Sequence, residues 1–377
     1  MKKSYLLFAA LLLCVGCKKD VNNDIYVINC DKAQDVSLED VTKNVRVVPL
    51  LSDEVIDGCY KAIGTENEVL MIGTSYDHVY YFKDNQLQGI LHSVGRGPGE
   101  YVMIKNISYD PDRKVLYLLQ YEDKNGILQY SVPDMKFIGK LTVPAYSVEY
   151  VRPYDSNTLL VAMRTESDVQ SLFFYDITTG QISGKLSDMN AFTYTNAETA
   201  LGSFSKRHPY VSLFDAAQQI CGIGADGAEV MFRFNFGTDT PDGMIYEHMK
   251  DENDVDRKMG YMFADENNHM IRNFYYPMYT DNENVSFWYT NLTLDFYNYF
   301  KMENGKVSMY KGLTIPGLNI KMKPSFGTGK GYAIIIEGDK ESLRDTETPL
   351  SPLGKKILDV VSNQKDDNPI ILYFDFK

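Results

Sequence analysis

Residues 104–143 read IKNISYDPDRKVLYLLQYEDKNGILQYSVPDMKFIGKLTV. Four short apolar or alternating runs stand out: Ile104–Tyr109, Val115–Tyr121, Ile127–Ser131 and Phe137–Val143. Each is short for a helix and rich in the β-branched and aromatic residues that suit strands. Between them stand Asp110-Pro111-Asp112, Asn125-Gly126 and Pro133-Asp134, residue types that make turns. Four strands joined in this way make one meandering sheet.

The rhythm continues on both sides. Upstream lie Val69–Gly73, His78–Phe82 and Gly89–Ser93, with Asp84-Asn85 as a tight turn between the last two. Downstream lie Ser147–Arg152, Thr158–Met163, Ser171–Asp176 and Ile182–Leu186, turned at Asp155-Ser156-Asn157 and Thr179-Gly180. Four strands every ~45–50 residues is the signature of propeller blades. A blade cannot bury both faces alone, so blades pack face to face around an axis. Val211–Phe214, Gln219–Gly222 and Glu229–Phe236 make a fourth, less regular unit. Met270–Tyr276, Val285–Tyr289, Leu292–Phe300 and Val307–Tyr310 make a fifth, and Ile320–Phe326 with Tyr332–Glu337 begin a sixth. Tyr246–Tyr261 is charged and helix-compatible, and its acidic residues lack the glycine and terminal glutamate of a calcium loop. A helix is expected over Leu353–Ser362, with Ser351 as N-cap and Pro352 at its first position. The expected fold is all-β, a β-propeller of six four-stranded blades closed by N- and C-terminal strands. Ile25–Cys30 and Ile370–Phe376 are the strands expected to pair and close the ring, which removes exposed edges.

The N-terminus has a different character. Met1-Lys2-Lys3 precedes an apolar stretch from Tyr5 to Val15, then Gly16-Cys17. This is the layout of a secretory signal, and it falls short of the ~20 apolar residues of a spanning helix. Gly16-Cys17 resembles the lipobox of bacterial lipoproteins, which implies cleavage after residue 16 and acylation of Cys17; Cys14 stands where leucine is usual. The expected organisation is a signal peptide at 1–16, a lipidated Cys17 with a polar tether to residue 24, and a single propeller domain over 25–377. Each buried CH₂ contributes ~0.8 kcal/mol, so more than one acyl chain holds firmly. The lipid then makes the membrane a partner, with the chain in the cell envelope at the outer membrane, facing the periplasm or the surface.

Gly95-Arg96-Gly97-Pro98-Gly99-Glu100-Tyr101 follows the strand Gly89–Ser93. It closely resembles the first-blade motif of the six-bladed β-propeller lipoproteins of Bacteroidota. Val47-Val48-Pro49-Leu50 is similar to that family's first strand, and Asp367-Asn368-Pro369 with Ile370-Ile371-Leu372-Tyr373 to its closing strand. Most members lack an assigned activity, so the resemblance implies fold and location more than chemistry. Read by itself, the motif has three glycines that permit positive φ and close backbone approach. Arg96 and Glu100 are placed to pair across it, and Arg96 with free N–H groups is a candidate anion or sugar-acid contact. An inter-blade turn that needs these backbone angles is the plainer reading. A strand-like segment, not a helix, follows it, so it is no dinucleotide fingerprint.

Composition narrows the partners. The chain has 38 Lys+Arg against 51 Asp+Glu, and loss of Lys2 and Lys3 with the leader makes it more acidic still. Nucleic acid is excluded as a general partner, because its affinity rests on basic residues neutralising phosphates. Beyond Cys17 remain Cys30, Cys59 and Cys221, an odd set; a Cys30–Cys59 bridge and burial as small apolar groups are the two readings. With 28 Tyr and one Trp, aromatic faces are available to stack on sugars, although strand propensity alone explains them.

The five histidines, His78, His92, His208, His248 and His269, form no H-E-x-x-H motif and lie beside no cysteine pair. No G-x-S-x-G elbow occurs. Ser203-Phe204-Ser205-Lys206 has S-x-x-K spacing without the accompanying signatures. Gly327-Thr328-Gly329-Lys330-Gly331 lacks the Ser/Thr of a phosphate loop and reads as a hairpin turn. No cofactor is implied. The expected function is a binding or scaffold lipoprotein for a glycan, a peptide or an envelope protein. Arg96, Tyr80, Tyr81, Tyr275, Tyr276, Trp288 and Tyr289 are the candidate contacts. The alternative is a propeller lyase or hydrolase acting on polysaccharide or peptide, for which Arg96, Arg152, Arg207, His208 and Arg272 would have to meet carboxylates on one face.

Overall fold

A computed structural model describes residues 18–20, 25–30, 33–164, 170–189, 210–213, 219–224, 227–237, 271–281, 284–291, 297–364 and 368–377. Their strands form six sheets. Blade 1 holds Lys61–Gly64, Glu68–Ile72, Val79–Lys83 and Gln86–Leu91, in that order from the inside out. Blade 2 holds Ile104–Asp110, Val115–Gln120, Gly126–Ser131 and Phe137–Thr142. Blade 3 holds Ser147–Pro153, Thr158–Arg164, Gln170–Asp176 and Ile182–Met189. Blade 4 holds Tyr210–Leu213, Gln219–Gly224 and Gly227–Asn235, and blade 5 Ile271–Asp281, Asn284–Asn291, Tyr297–Glu303 and Lys306–Thr314. Blade 6 begins with Phe326–Gly327, Tyr332–Ile336 and Ile370–Phe376. Within blades the sequence-neighbouring strands pair antiparallel; the first strands of blades 1 and 2, 2 and 3, 4 and 5, 5 and 6, and 6 and 1 touch, while blades 3 and 4 meet through Ile182–Met189 and Gly227–Asn235.

The ring closes differently from the sequence-based expectation. Thr42–Pro49, not Ile25–Cys30, pairs antiparallel with Ile370–Phe376, with Val47 opposite Leu372. Ile25–Val27 instead runs parallel to the outer strand of blade 4, with Arg233 opposite Ile25. Lys18–Asp20, which polarity assigns to a tether, pairs antiparallel with Ile25–Val27. Gln34–Ser37 lies parallel to Lys306–Thr314 at the edge of blade 5. The N-terminal arm therefore covers the outer edges of blades 4, 5 and 6 in succession. Each pairing occupies backbone groups that an open edge would present to another chain.

Alternation along the strands builds the core. Successive side chains point to opposite faces of a sheet, and here both faces are covered. Tyr80 packs with Tyr373 and Phe326 between blades 6 and 1, while Tyr81 packs with Tyr109 and Tyr130 between blades 1 and 2. Trp288 lies between blades 5 and 6, in T-shaped contact with Tyr332 at 5.8 Å, while Tyr289 lies with Phe236 and Phe287 between blades 4 and 5. Blades 2 and 3 meet through Tyr117, Leu119, Val151, Val161 and Tyr175.

Several local expectations hold. Ser351 caps Pro352–Ser362, its hydroxyl accepting from the Gly354 N–H at 3.0 Å. This helix packs Leu353, Ile357, Leu358 and Val361 into the cluster around blade 6. Asp84 and Asn85 both have positive φ, as a type I′ turn requires. Gly327-Thr328-Gly329-Lys330-Gly331 turns a hairpin, with Phe326 opposite Ala333. Cys30 and Cys59 are free thiols in separate clusters, so no bridge joins them. Tyr246–Tyr261 lies outside the described residues.

Two predictions test this packing. Trp288→Ala empties a fully buried site shared by blades 5 and 6, and is expected to cost ~3–5 kcal/mol. Urea unfolding followed by circular dichroism measures it, because Trp288 is the chain's one tryptophan and its fluorescence is lost with it. At Gly99, φ is +75° and an added Cβ would come within 2.4 Å of the Phe137 ring. At Gly97 an added Cβ would meet only the flexible end of Glu100, at 3.0 Å. Gly99→Ala is therefore expected to lower the unfolding midpoint clearly, and Gly97→Ala to shift it by less than half as much.

Candidate functional site

The Gly-rich motif builds a platform at one end of blade 1. Tyr101 is fully buried, and its main chain bonds back to Ser93 and Gly95. Its hydroxyl accepts from the Ser93 N–H and donates toward the Asp77 carbonyl at 2.8 Å and the Leu91 carbonyl at 3.2 Å. Tyr130 reaches in from blade 2 and donates to the Gly99 carbonyl at 2.9 Å. The Glu100 carboxylate folds over the loop and accepts from the Gly97 N–H at 2.7 Å. The expected Arg96–Glu100 pair does not form, because the loop's own N–H holds that carboxylate. Arg96 is exposed and has no ion pair among the described residues.

The motif thus ties the segment ending at Asp77 to the segment starting at His92. Val79 pairs with Leu91, so His78 and His92 stand opposite each other just past the end of the hairpin. Their rings stack at 4.0 Å with 16° between planes. The Asp77 carboxylate lies beside both: Oδ1 is 2.5 Å from His78 Nδ1, and Oδ2 is 3.7 Å from His92 Nε2. The Tyr80 ring also stacks with His78, nearly parallel at 5.7 Å.

A second layer steadies this group. Asp57, from the segment before blade 1, accepts from Ser75 N at 2.9 Å, Ser75 Oγ at 2.6 Å and the Tyr80 hydroxyl at 2.8 Å. Ser75 Oγ also contacts Asp77 Oδ1. Partial burial works against the charged form of Asp57, but the Ser75 and Tyr80 hydrogen bonds hold its carboxyl below the usual range. Asp77 is likewise held low, with Ser75 and the two imidazoles outweighing desolvation. Glu337, at the end of Tyr332–Ile336 in blade 6, accepts from Cys59 N. Burial, with the nearby Asp57 charge, raises its pKa.

Beside this group, polar contacts step between the inner strands. Lys61 of blade 1 donates to Asn106 of blade 2 at 2.6 Å. Lys105 of blade 2 reaches Glu149 of blade 3 at 2.8 Å, and Glu149 lies 3.4 Å from Arg164. Burial opposes the charge on Glu149, while Lys105 and Ser147 lower its pKa.

The residues singled out from sequence sit elsewhere. Tyr80, Tyr81, Trp288 and Tyr289 are at most 3 % exposed and packed within inter-blade clusters, so their rings are not open to a ligand. Of these only Tyr80 reaches the cluster, its hydroxyl through Asp57 and its ring against His78. Tyr275 and Tyr276 lie in the strand Ile271–Asp281, where backbone pairing sets Tyr275 opposite Trp288; their side chains lie outside the described residues. Cys17, Arg207 and His208 also lie outside them, as does the Arg272 side chain. Arg152 is buried on the inner strand of blade 3, while Arg96 is on an exposed loop. No sequence motif singles out His78 and His92. The hairpin around Asp84-Asn85 was the signal that joins them, but its register was not readable.

Among the described residues, no helix is long and apolar enough to cross a membrane. No curated protein matches the chain. Solved structures share its fold. A protein of Bacteroides fragilis NCTC 9343 designated as exported is 14% identical with a TM-score of 0.70, covering 93% of this chain and 99% of that one. A member of the DUF4221 family from Bacteroides vulgatus ATCC 8482 is 10% identical with a TM-score of 0.52, covering 89% and 98%. The model of the DUF5128 family, described as a 6-bladed beta-propeller, matches residues 17–311. With six sheets arranged as blades and the family match spanning most of its length, the chain belongs to the DUF5128 family of six-bladed β-propellers.

Proposed function

We propose that this propeller is an exported envelope protein, anchored to the outer membrane through acylated Cys17, that acts as a binding or scaffold protein for a glycan, a peptide or another envelope protein. The observation that carries the binding role is the group Asp57, Ser75, Asp77, His78 and His92. It joins hydrogen-bonding and ionisable side chains from three separate chain segments on an open end of the ring. Loop-borne polar groups held by a rigid ring suit recognition. The net negative charge favours neutral or cationic partners. The Gly16-Cys17 signal supports the anchor, and the acyl chains supply the membrane affinity that no apolar helix among the described residues provides.

The same group supports a second reading, a lyase or hydrolase acting on polysaccharide or peptide, because imidazoles beside carboxylates are the usual means of proton transfer. One experiment separates the two. The mature chain carrying Cys17→Ser is screened on glycan and peptide arrays, and hits are incubated with it and analysed for products. Saturable binding with the ligand recovered intact is the expected result. A cleaved ligand would transfer the case to the enzyme reading. If neither array yields a hit and an envelope pull-down returns no specific protein, the binding role is wrong.

The anchor has its own test. The full-length chain expressed in a Bacteroides host is expected to take up labelled fatty acid and to partition into detergent. Cys17→Ser is expected to lose the label and move to the aqueous phase. A wild-type chain without label would refute the anchor.

A further inference from the structure

We infer that Asp77, His78 and His92 form a binding site for a divalent transition-metal ion of the zinc class. The inference concerns the same group that carries the proposed binding role, but it is tested by the metal alone, so its failure and the failure of that role are read separately. One ligand atom from each residue can be chosen so that all three lie within 4.8 Å of one another, the one such group of His, Cys, Asp and Glu among the described residues. Two imidazoles and a carboxylate are the donor types that zinc takes, and they are poor for calcium or magnesium, which prefer all-oxygen sites.

The distances argue for a shared cation. Bonds of ~2.0–2.2 Å place the ligands of a tetrahedral zinc about 3.3–3.5 Å apart. His92 Nε2 is 3.7 Å from Asp77 Oδ2, too long for a hydrogen bond and close to that ligand-to-ligand spacing. His78 Nδ1, at 2.5 Å from Asp77 Oδ1, needs to move outward by less than an ångström on a partly exposed side chain. Both imidazoles present nitrogen toward the same carboxylate, and because the rings stack with 16° between planes, the half-exposed His92 ring must turn about its side-chain bonds to aim its lone pair at an ion shared with His78.

The surroundings have the form of an outer shell. Metal ligands are commonly fixed by hydrogen bonds from residues that do not touch the ion. Ser75 contacts the Asp77 carboxylate and is itself held by Asp57. The Tyr80 ring covers one face of His78, and the Tyr101 hydroxyl secures the Asp77 backbone. On the outer side the group is open, with side-chain exposures of 26% for His78, 30% for Asp77 and 50% for His92. Three protein ligands with an open fourth position leave room for water or a ligand oxygen.

The test uses the tag-free mature chain with Cys17→Ser, stripped with chelator and titrated with Zn²⁺ by calorimetry. Co²⁺ serves in parallel as a visible-absorption probe of coordination. One equivalent of Zn²⁺ and the absorption of tetrahedral Co²⁺ are expected. His92→Ala, at an exposed position that leaves the core intact, and Asp77→Asn are each expected to weaken Zn²⁺ at least tenfold with an unchanged circular dichroism spectrum. Ser75→Ala should weaken it by about tenfold while keeping the stoichiometry. Absence of saturable binding of either ion overturns the site. So does one equivalent of Zn²⁺ bound equally well by wild type and His92→Ala, which would place the ion on other residues.

Discussion

Burial of both faces of the middle strands in blades 1, 2, 3, 5 and 6 is the constraint on which the rest of this protein depends. A strand in an ordinary two-layer sheet alternates apolar and polar residues, because one face meets water. Here Val79, Tyr80, Tyr81 and Phe82 are all buried in succession, odd and even positions entering different inter-blade clusters. Each blade is thereby the lid of its neighbour. Large aromatic groups fill these wedge-shaped spaces well, and Tyr hydroxyls at the margins find partners such as Asp57, Glu68 and the Gly99 carbonyl. Buried tyrosines such as Tyr81, Tyr117, Tyr130 and Tyr299 are thus explained by packing before any ligand is invoked.

A ring built this way must be closed, since a missing contact exposes two apolar faces at once. The closing ladder joins residues more than three hundred positions apart, Val47 with Leu372 and Val48 with Ile371. The arm that precedes it adds strands to blades 4 and 5 by parallel pairing. Blade 4 has three of its own strands among the described residues, and the arm supplies its next one. The segment after Cys17 is therefore partly a structural element, drawn along the rim of the ring by unpaired strand edges.

The Gly-rich motif and the histidine cluster are two parts of one local design. Tyr101 ends the motif, and its buried hydroxyl joins the turn before His78 to the strand end before His92. Gly99 supplies the positive φ that turns the chain beneath Phe137. The motif's backbone and tyrosine, more than its arginine, shape the site. The side chains that the motif brings together, His78 and His92, lie on either side of its seven residues.

The strand rhythm, the turns, the capped helix and the blade class were determined locally, by side-chain alternation, turn chemistry and capping, and were legible in the sequence. The use of the aromatic residues was less legible, because a strand buried on both faces and a strand offering rings to a ligand carry the same residue types. The closing partner was chosen wrongly, since Ile25–Cys30 and the segment containing Val47-Val48-Pro49-Leu50 are both strand-like and only the assembled ring places one of them beside Ile370–Phe376. The histidine site was hidden by a single residue. From the Asp84-Asn85 turn, Lys83 pairs with Gln86 and Phe82 with Leu87, and uninterrupted pairing would set His78 opposite Leu91. A bulge between Tyr81 and Phe82 shifts the register by one, setting Val79 opposite Leu91 and bringing His78 and His92 face to face. A one-residue slip moves side chains to the other face of a sheet, and packing against the neighbouring blades, not the hairpin alone, decides where that slip occurs.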